Sequence, residues 1–365
     1  MDVFIIGGGP AGLVSAIAAR QQGLSVMIAD SADHPIDKPC GEGLIPETQV
    51  ALAHLDIHIP KEAGFRFRGI RFVQREKQVC AEYPQGEGIG IRRTVLHELL
   101  VAKAEKSGVE MRWKTPVLGI DATGVQLKQG RVEARWIVGA DGGGSRVRRW
   151  SGLEASSRRH KRFASRRHYR VKPWTEYMEI YWGPRAQAYV TPISTEEVCI
   201  VALSERAEDA NFAESLESWP ELQNRLAGAV LSSRERGAIT AMHGLQNVCR
   251  GNVALVGDAS GSVDAITGEG LRLAFCQARA LAEAMKSKNL QDYQRAHRQL
   301  ARRPTWMGNL MLLMGRNATV RERTMKSLAA KPDLFAALLA IHVGSSDASK
   351  IVSTGARLGW NFLAA

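Results

Sequence analysis

The stretch that decides the fold is Val3–Gly12, VFIIGGGPAG, in which a short β-branched run breaks into glycines and then continues as a helix. Gly7 permits the tight turn out of the strand, Gly9 lets the backbone approach a pyrophosphate, and Gly12 lets the helix pack closely on the sheet. The helix N-terminus that follows attracts phosphate groups. The pattern therefore predicts a dinucleotide-binding turn.

The residues after the turn support this prediction. A helical stretch, Ala11–Gln22, leads through Gly23 into a second β-run, Leu24–Ala29, which ends at Asp30. Asp30 lies 18 residues after Gly12, close to the spacing of about 20 expected for a carboxylate that accepts from an adenosine ribose hydroxyl. A β-α-β unit of this kind requires a parallel sheet that later strands complete.

Length and charge set wide bounds on the function. At 365 residues the chain is long enough for two domains and an appendage. Its formal net charge of +12 should attract anions, whether cofactor phosphates, an acidic protein, nucleic acid or an anionic membrane. Five cysteines without a paired spacing argue against a disulfide framework and a zinc site, so we expect no metal and a reducing compartment.

Two uncharged stretches bear on the location of the protein. Val3–Ala19 lacks a basic leader and contains the glycine turn, which argues against a signal peptide and a membrane span. Leu334–Ser346 is too short to cross a bilayer. We expect a cytoplasmic protein without a transmembrane segment, and peripheral membrane contact through its C-terminal part stays open.

Hydrophobic periodicity divides the rest of the chain. Alternation between residues 158 and 204 predicts antiparallel strands with one buried face, and hence a second, sheet-based domain set inside the first. From Pro304 to the end the spacing is helical and apolar. The other predicted elements are helices at Thr94–Lys106 and 209–231 and strands at Val109–Trp113, Val117–Asp121, Gly124–Lys128, Arg131–Val138 and Val253–Val256.

Three separated motifs occur in a characteristic order. The glycine turn with Asp30 is followed by Gly139–Arg148, GADGGGSRVR, and then by Gly257–Ala259, GDA, with Thr267–Leu271, TGEGL. In this order they resemble the FAD-containing superfamily of group A flavin monooxygenases, geranylgeranyl reductases and flavin-dependent halogenases, over roughly residues 1 to 290. The resemblance implies bound FAD and an α/β fold, with a Rossmann-like FAD-binding domain, an inserted antiparallel β-sheet substrate domain and a C-terminal helical segment.

The implied domains are discontinuous. The FAD-binding domain would comprise residues 1–70, 90–150 and 240–300, the substrate domain residues 71–89 and 151–239, and the C-terminal helical segment residues 301–365. In this superfamily the inserted sheet roofs the flavin and presents the substrate pocket. The candidate lining residues on it are Tyr177, Tyr181, Trp182, Tyr189 and Pro192.

The resemblance also implies roles for individual residues. Asp258 would accept from the ribityl hydroxyls, and Arg93, with Arg92 as its rival, would contact the FAD linker. A helix opened by Gly268–Leu271 and capped by Thr267 would turn its positive end to the pyrimidine part of the flavin and stabilise the reduced anion. The residues predicted to bind FAD are Gly7, Gly9, Pro10, Ala11, Gly12, Asp30, Cys40, Gly41, Arg93, Val117, Asp141, Gly142, Gly257, Asp258, Gly268, Glu269, Gly270 and Leu271.

The segment Lys38–Pro46, KPCGEGLIP, looks like the Cys-Gly segment of geranylgeranyl reductase-type proteins, where the loop passes beside the isoalloxazine. Its glycines allow close backbone approach, and Cys40 would lie near the reacting face as the candidate catalytic residue or as a small wall residue. No second cysteine stands about five residues away, which disfavours thiol–disulfide exchange.

Some residues depart from the family patterns. Aromatic hydroxylases usually carry histidine where this chain has Gly261 and proline where it has Ala265, which favours the reductase and halogenase side. The Trp-x-Trp triplet of halogenases is missing, and so is a second Gly-x-Gly-x-x-Gly before a β-run. We therefore expect electrons from transiently bound NADH or NADPH, or from a protein donor. In relatives the Asp141–Gly142 segment touches both FAD and the nicotinamide. It is therefore the candidate site for transiently bound NADH or NADPH.

A basic run, Arg158–Arg162 and Arg166–Arg170, opens the inserted sheet. It would be a solvated strand edge, a site that captures NAD(P)H phosphates, or a docking site for an acidic electron-transfer protein. No recognition module accompanies it, so nucleic acid is not an expected partner.

Together these features predict an enzyme, an FAD-dependent oxidoreductase acting on a small apolar, phenolic or lipid-like molecule. Within this class we expect an NAD(P)H-fed monooxygenase that works through a flavin hydroperoxide in a dry cavity. Two alternatives stay open. One is a carbon–carbon double-bond reductase of the geranylgeranyl reductase type, and the other is a flavin-bearing electron-transfer protein.

Overall fold

The glycine turn joins the first strand to the first helix, as predicted, in a computed structural model that describes residues 1–154, 160–345 and 354. Gly7 adopts a φ of +113°, and a Cβ there would overlap the Ala140 backbone. A Cβ at Gly12 would overlap the carbonyl oxygen of Gly7. Both positions require glycine, because strand, helix and neighbouring strand touch through their backbones.

Helices and strands alternate in the first half of the chain, and strands dominate the middle. In chain order the helices are α1 (Pro10–Gln21), α2 (Pro46–Ala53), α3 (Arg93–Lys106), α4 (Arg146–Trp150), α5 (Phe212–Leu216), α6 (Pro220–Arg225), α7 (Gly270–Lys286), α8 (Leu290–Arg316), α9 (Ala318–Ala330) and α10 (Pro332–Val343). The strands are β1 (Val3–Ile6), β2 (Val26–Ala29), β3 (Gly43–Leu44), β4 (Phe65–Phe67), β5 (Gly69–Gln74), β6 (Lys77–Glu82), β7 (Gly88–Gly90), β8 (Glu110–Arg112), β9 (Val117–Ile120), β10 (Gly124–Leu127), β11 (Gly130–Glu133), β12 (Trp136–Gly139), β13 (His160–Arg170), β14 (Tyr177–Trp182), β15 (Ala186–Ser194), β16 (Glu197–Ser204), β17 (Val230–Leu231), β18 (Arg236–Met242), β19 (Cys249–Arg250) and β20 (Val253–Leu255).

A six-stranded sheet, in the order β19-β20-β12-β1-β2-β8, is parallel except for β19. Helices α1, α3 and α7 bury their apolar side chains against it in the largest core cluster. The small antiparallel sheet β11-β10-β9 packs in a separate cluster with β1 and β12. The predicted strand Arg131–Val138 is therefore two strands, because β11 pairs within the small sheet whereas β12 enters the parallel one.

An eight-stranded sheet, here called the roof sheet, has the order β17-β13-β16-β15-β14-β5-β6, with β18 paired to β13. Its pairs are antiparallel except for β14 with β5. This confirms the predicted fold class, in which an antiparallel sheet is inserted into a Rossmann-like domain. The sheet extends past the predicted boundary at residue 239, since β18 ends at Met242.

The segment predicted as helical over 209–231 is more broken. It contains the short helices α5 and α6 and then the strand β17. Asn211 caps α5 through its side chain, and Pro220 is the first residue of α6. The periodicity predicted one helix here, but each of these residues begins a separate short helix.

The C-terminal part is helical, as predicted, within the residues described. Helix α8 begins at Leu290, earlier than expected, and includes Pro304. Helices α9 and α10 cover the roof sheet, where the rings of Phe335 and Phe72 lie 4.7 Å apart. The apolar side chains of α9 and α10 therefore form part of the protein core. Within residues 1–154, 160–345 and 354, no helix is long and apolar enough to cross a membrane.

Candidate active site

A cavity of about 830 Å³ lies at the carboxyl ends of the parallel strands, below the roof sheet. Open α/β sheets place their ligands at this edge. The three sequence motifs converge there from positions more than 100 residues apart. The predicted site residues that line the cavity are Gly7, Gly9, Pro10, Ala11, Asp30, Cys40, Gly41, Arg93, Val117, Asp141, Gly142, Gly257, Asp258, Gly268, Gly270 and Leu271.

Two predicted site residues do not line the cavity. Gly12 serves the packing of α1 on the sheet, as its expected role requires. Glu269 was predicted to bind the cofactor, but its side chain is fully buried and forms an ion pair with Arg272. Its carboxylate points away from the cavity wall because α7 begins at the next residue and turns the side chain into the protein.

Asp30 is held at the mouth of the glycine turn. Its two carboxylate oxygens accept from the backbone N–H groups of Gly8, at 2.6 Å, and Ala32, at 2.8 Å. His97, which sequence reasoning missed, donates from Nε2 to the Gly8 carbonyl oxygen at 2.8 Å. Burial lowers the pKa of His97, so the ring is neutral and acts as a fixed donor. The glycine turn is therefore held by two side chains, since Asp30 binds the Gly8 N–H and His97 binds the Gly8 carbonyl oxygen.

The Asp141–Gly142 turn is fixed by the helix that follows it. Asp141 accepts from the Ser145 hydroxyl at 2.5 Å and from the Arg146 N–H at 2.7 Å. Arg148, the last residue of this motif, is buried and donates to the carbonyl oxygens of Gly143, at 2.8 Å, and Ala259, at 3.2 Å. It ties this motif to the Asp258 loop.

The Asp258 loop also contacts the Cys40 segment. Asp258 accepts from Lys38 Nζ at 3.0 Å, and the side chains of both residues are about half exposed. This ion pair joins two walls of the cavity that are far apart in sequence. Because both groups are exposed, the pair contributes little to stability and can open for a ligand.

The positive end of α7 borders the cavity. The helix begins at Gly270, so Thr267 is not its N-cap; the Thr267 hydroxyl donates to the Asp264 carbonyl oxygen at 2.8 Å. Gly268 adopts a φ of +66° and turns the chain into the helix. A Cβ at Gly268 or at Gly270 would meet no atom of the described residues within 4 Å. The helix N-terminus thus faces open space that suits an anionic or electron-rich group.

The Cys40 loop lies against the roof sheet. Cys40 Sγ accepts from the Glu42 N–H at 3.4 Å, and Thr191 donates to the Gly41 carbonyl oxygen at 2.7 Å. A Cβ on Gly41 would lie 2.9 Å from the Tyr189 ring, which explains the glycine. Cys199 donates from Sγ to the Cys40 carbonyl oxygen at 3.7 Å, a neighbour that no sequence spacing could reveal. Burial raises the pKa of Cys199, so it remains a thiol.

The structure distinguishes the two candidate arginines. Arg92 forms an ion pair with Glu197, with 2.9 Å between Nε and Oε2, so its guanidinium already has a partner within the protein. Arg93 lines the cavity, and its buried Nε has no hydrogen-bond partner among the described residues. A buried guanidinium N–H without a partner is costly unless a ligand supplies an acceptor.

A variant tests this assignment of Arg93. The change Arg93→Leu is expected to weaken FAD binding about 10- to 100-fold, because a charge-assisted hydrogen bond contributes about 1.5–3 kcal/mol. Titration of the apoprotein with FAD, followed by flavin fluorescence, measures the affinity. Arg66→Leu is the control, since Arg66 contacts Gln49 outside this cavity. Equal affinities for the two variants would contradict the assignment.

The part of the cavity under the roof sheet is largely apolar. Of the five predicted lining residues, only Tyr189 lines the cavity, and burial raises its pKa, so its hydroxyl stays protonated. Tyr177, Tyr181, Trp182 and Pro192 are buried elsewhere in the roof sheet and do not line the cavity. The apolar side chains beside Tyr189 are Ala164, Met178, Val201 and Ile266.

A buried cluster of polar side chains lies next to the apolar part of the cavity. Arg162 donates to both carboxylate oxygens of Asp264, at 3.2 Å each, and to Gln187 Oε1 at 2.6 Å. Arg162 and Asp264 are almost completely buried. Their charges compensate each other, which leaves an apolar surface for the substrate.

Part of the basic run at residues 158–170 is buried. Arg158 and Arg159 lie outside the described residues, but β13 alternates and points Arg162 and Arg166 inward, where both are buried and paired with carboxylates. Arg167 pairs with Glu235. For Arg162 and Arg166 the prediction of a solvated strand edge is therefore wrong, because β13 is covered on the side that these two residues occupy.

The residues of the cavity fit a flavin dinucleotide. A Cβ at Gly9 would meet no protein atom within 4 Å, so the space over the glycine turn is open to a pyrophosphate. The side chain of Arg93, which lines the cavity, and the N-terminus of α7 offer two further contacts to an anionic group.

The sequence of the chain is similar to those of several known enzymes. The protein is similar to a menaquinone reductase of Mycobacterium tuberculosis, with 27% identity over 321 residues, 79% of this chain and 77% of that protein. It is also similar to a digeranylgeranylglycerophospholipid reductase of Methanococcus vannielii, at 23% identity over 80% of this chain and 79% of that protein. A 3-(3-hydroxy-phenyl)propionate/3-hydroxycinnamic acid hydroxylase of Mycobacterium avium is 29% identical over 42% of this chain and 31% of its own length.

Solved structures share the fold. A flavoprotein/dehydrogenase from Cytophaga hutchinsonii superposes with a TM-score of 0.80 at 18% identity, covering 94% of this chain and 93% of that one. The halogenase PltM, solved with phloroglucinol and FAD, gives a TM-score of 0.73 at 18% identity, over 94% and 83% of the two chains. The family model described as FAD binding domain matches residues 1–298. The chain therefore belongs to this family, as the order of its motifs indicated, and is an FAD-dependent oxidoreductase.

Proposed function

We propose that the protein reduces a carbon–carbon double bond in an apolar, isoprenoid-like molecule, with NADH or NADPH as the transient reductant. The observation that carries this proposal is the apolar end of the cavity beside Cys40, where the charged groups Arg162 and Asp264 compensate each other. A neutral hydrocarbon segment fits such a surface better than a charged aromatic acid does. The similarity to two lipid-directed reductases over about four fifths of the chain supports the same class.

FAD would be held by the glycine turn, Asp30, Arg93, Asp258 and the N-terminus of α7, and we assign the remaining cavity-lining glycines to its backbone contacts. FAD bound here, once reduced by NADH or NADPH, would supply the hydride. The protein must supply the proton that completes the reduction, and we assign it to Cys40 Sγ, which borders the cavity. The Glu42 N–H that reaches Cys40 Sγ would stabilise the thiolate left after transfer.

The product distinguishes this proposal from the monooxygenase that the sequence favoured. FAD-loaded protein is incubated without oxygen, with NADH or NADPH and a short-chain polyprenyl alcohol, whose double bonds are its only reducible groups, and the product is analysed by mass spectrometry. Anaerobic gain of two hydrogen atoms is the expected result. A product formed only in air that has gained one oxygen atom would overturn the proposal.

The second candidate is hydroxylation of the same type of substrate. The similarity to a hydroxylase over 42% of this chain favours it, and the buried surface around Tyr189 suits a reaction that must exclude water. The aerobic arm of the same experiment tests it.

Cys40→Ala is expected to lower the rate of double-bond reduction about 100-fold or more, because a positioned general acid contributes about 10²–10⁴. FAD affinity should stay unchanged, since no charge is removed. Cys80→Ala, at an exposed position on β6, is the matched control. If the Cys40→Ala variant kept the wild-type rate, Cys40 would only line the cavity and would not be the proton donor.

A further inference from the structure

A buried network of charges lies behind the Cys40 loop. It is centred on Glu42, which is 3% exposed, and on His168 and Arg166, which are 0% and 1% exposed. Glu42 stands between two glycines and has a φ of +59°, a conformation that costs a non-glycine residue energy unless its surroundings fix it. The Glu42 network comprises Asp37, Glu42, Arg92, Arg166, His168, Glu197 and Arg236.

Glu42 connects three segments of the chain. Its Oε1 accepts from the backbone N–H of Arg93 at 2.9 Å, at the start of α3, and its Oε2 accepts from His168 Nε2 at 2.8 Å, on β13. Its own N–H donates to Cys40 Sγ, and its carbonyl oxygen accepts from Ile91 at 2.9 Å. The Glu42 side chain thus joins the start of α3 to β13, and its backbone contacts Cys40, so this one residue lies between the Cys40 loop and Arg93.

The orientation of His168 follows from its partners. Arg92 Nη1 lies 2.7 Å from His168 Nδ1, and a guanidinium can only donate. Nδ1 is therefore an acceptor, and the ring proton sits on Nε2, where it points to Glu42. Arg92 thus fixes the tautomer that keeps Glu42 in place.

The charges of the Glu42 network balance. Three carboxylates, those of Asp37, Glu42 and Glu197, face three guanidiniums, those of Arg92, Arg166 and Arg236. Removing the Glu42 charge leaves one uncompensated positive charge directly behind a wall of the cavity, since Glu42 also lines it. A buried charge at this depth acts through a medium of low dielectric constant and is felt by neighbouring groups.

We infer that Glu42 is a positioning residue: it sets the Cys40 loop and Arg93 against the flavin, and its negative charge keeps the reduction potential of bound FAD low. The inference rests on FAD binding in this cavity and not on the reaction proposed above.

Glu42→Gln tests both parts of the inference, with Glu197→Gln as the matched control. Glu197 belongs to the same network but does not line the cavity. We expect Glu42→Gln to weaken FAD binding at least about tenfold, the loss of one charge-assisted hydrogen bond, and to raise the midpoint potential measured by dye equilibration. Glu197→Gln should lower the thermal stability of the apoprotein to a similar extent but leave affinity and potential unchanged.

Two outcomes would overturn the inference. The first is a Glu42→Gln protein that loses stability but keeps the wild-type FAD affinity and potential, which would make Glu42 a structural residue alone. If that variant does not fold, Glu42→Asp keeps the charge on a shorter side chain that cannot reach both Arg93 N and His168. The second outcome is wild-type FAD affinity in the Asp variant. None of these measurements uses a substrate, so they are independent of the proposed reaction.

Discussion

Gly9→Val is expected to abolish FAD binding while leaving the fold of the apoprotein intact. Gly9 has an extended backbone, with φ −71° and ψ 176°, that any residue can adopt, and a Cβ there meets no protein atom within 4 Å. The valine side chain would fill the space that the pyrophosphate needs. We expect at least a 100-fold loss of FAD affinity, about 2.7 kcal/mol, and a thermal midpoint of the apoprotein close to that of the wild type.

A matched control separates this effect from a general one. A Cβ at Gly119 would also meet no atom within 4 Å, but Gly119 lies on β9 and is not among the residues that line the cavity. Gly119→Val should therefore bind FAD normally. Normal binding of FAD by the Gly9 variant would show that the cofactor does not cross this turn, and would remove the basis of the FAD assignments.

Arg162→Leu is expected to cause the largest loss of stability among these variants. It leaves the Asp264 carboxylate, which is 1% exposed, without its ion-pair partner. Removing one partner of a buried pair lowers the free energy of unfolding by about 3–5 kcal/mol, because the remaining charge is buried and uncompensated. Chemical denaturation at neutral pH, followed by circular dichroism, measures this loss.

The double variant Arg162→Leu, Asp264→Asn is the control for this measurement. Asparagine keeps the oxygen that accepts from the Ile266 N–H but carries no charge. We expect it to recover much of the stability, since replacing both members of a buried pair is often close to neutral. A double variant as unstable as the single one would indicate that Arg162 acts through packing and not through charge.

The sequence was most informative where a local pattern has one structural solution. The glycine turn needs its glycines because backbones meet at Gly7 and Gly12, and those contacts involve neighbouring segments of a β-α-β unit. The motifs at Asp141 and Asp258 could be placed for the same reason, since the carboxyl ends of parallel strands share one edge of the sheet.

Contacts across long sequence distances could not be predicted. Arg162 and Arg166 look like solvated residues in a basic run, but their partners Asp264 and Glu42 lie 102 and 124 residues away. Glu42 sits between two glycines and resembles a surface turn residue until β13 covers it. The Glu269 side chain does not line the cavity for a smaller reason, since it lies just before the start of α7 at Gly270 and pairs with Arg272.

The parallel pairing of β5 with β14 has a consequence for the order in which the protein can fold. β5 (Gly69–Gln74) joins β6 at one edge soon after synthesis, but its other edge waits for Tyr177–Trp182, more than 100 residues later. Pairings of such high sequence separation close slowly. A nascent chain that ends before β14 therefore presents an apolar strand with an open edge, and during this interval the protein is most prone to aggregate.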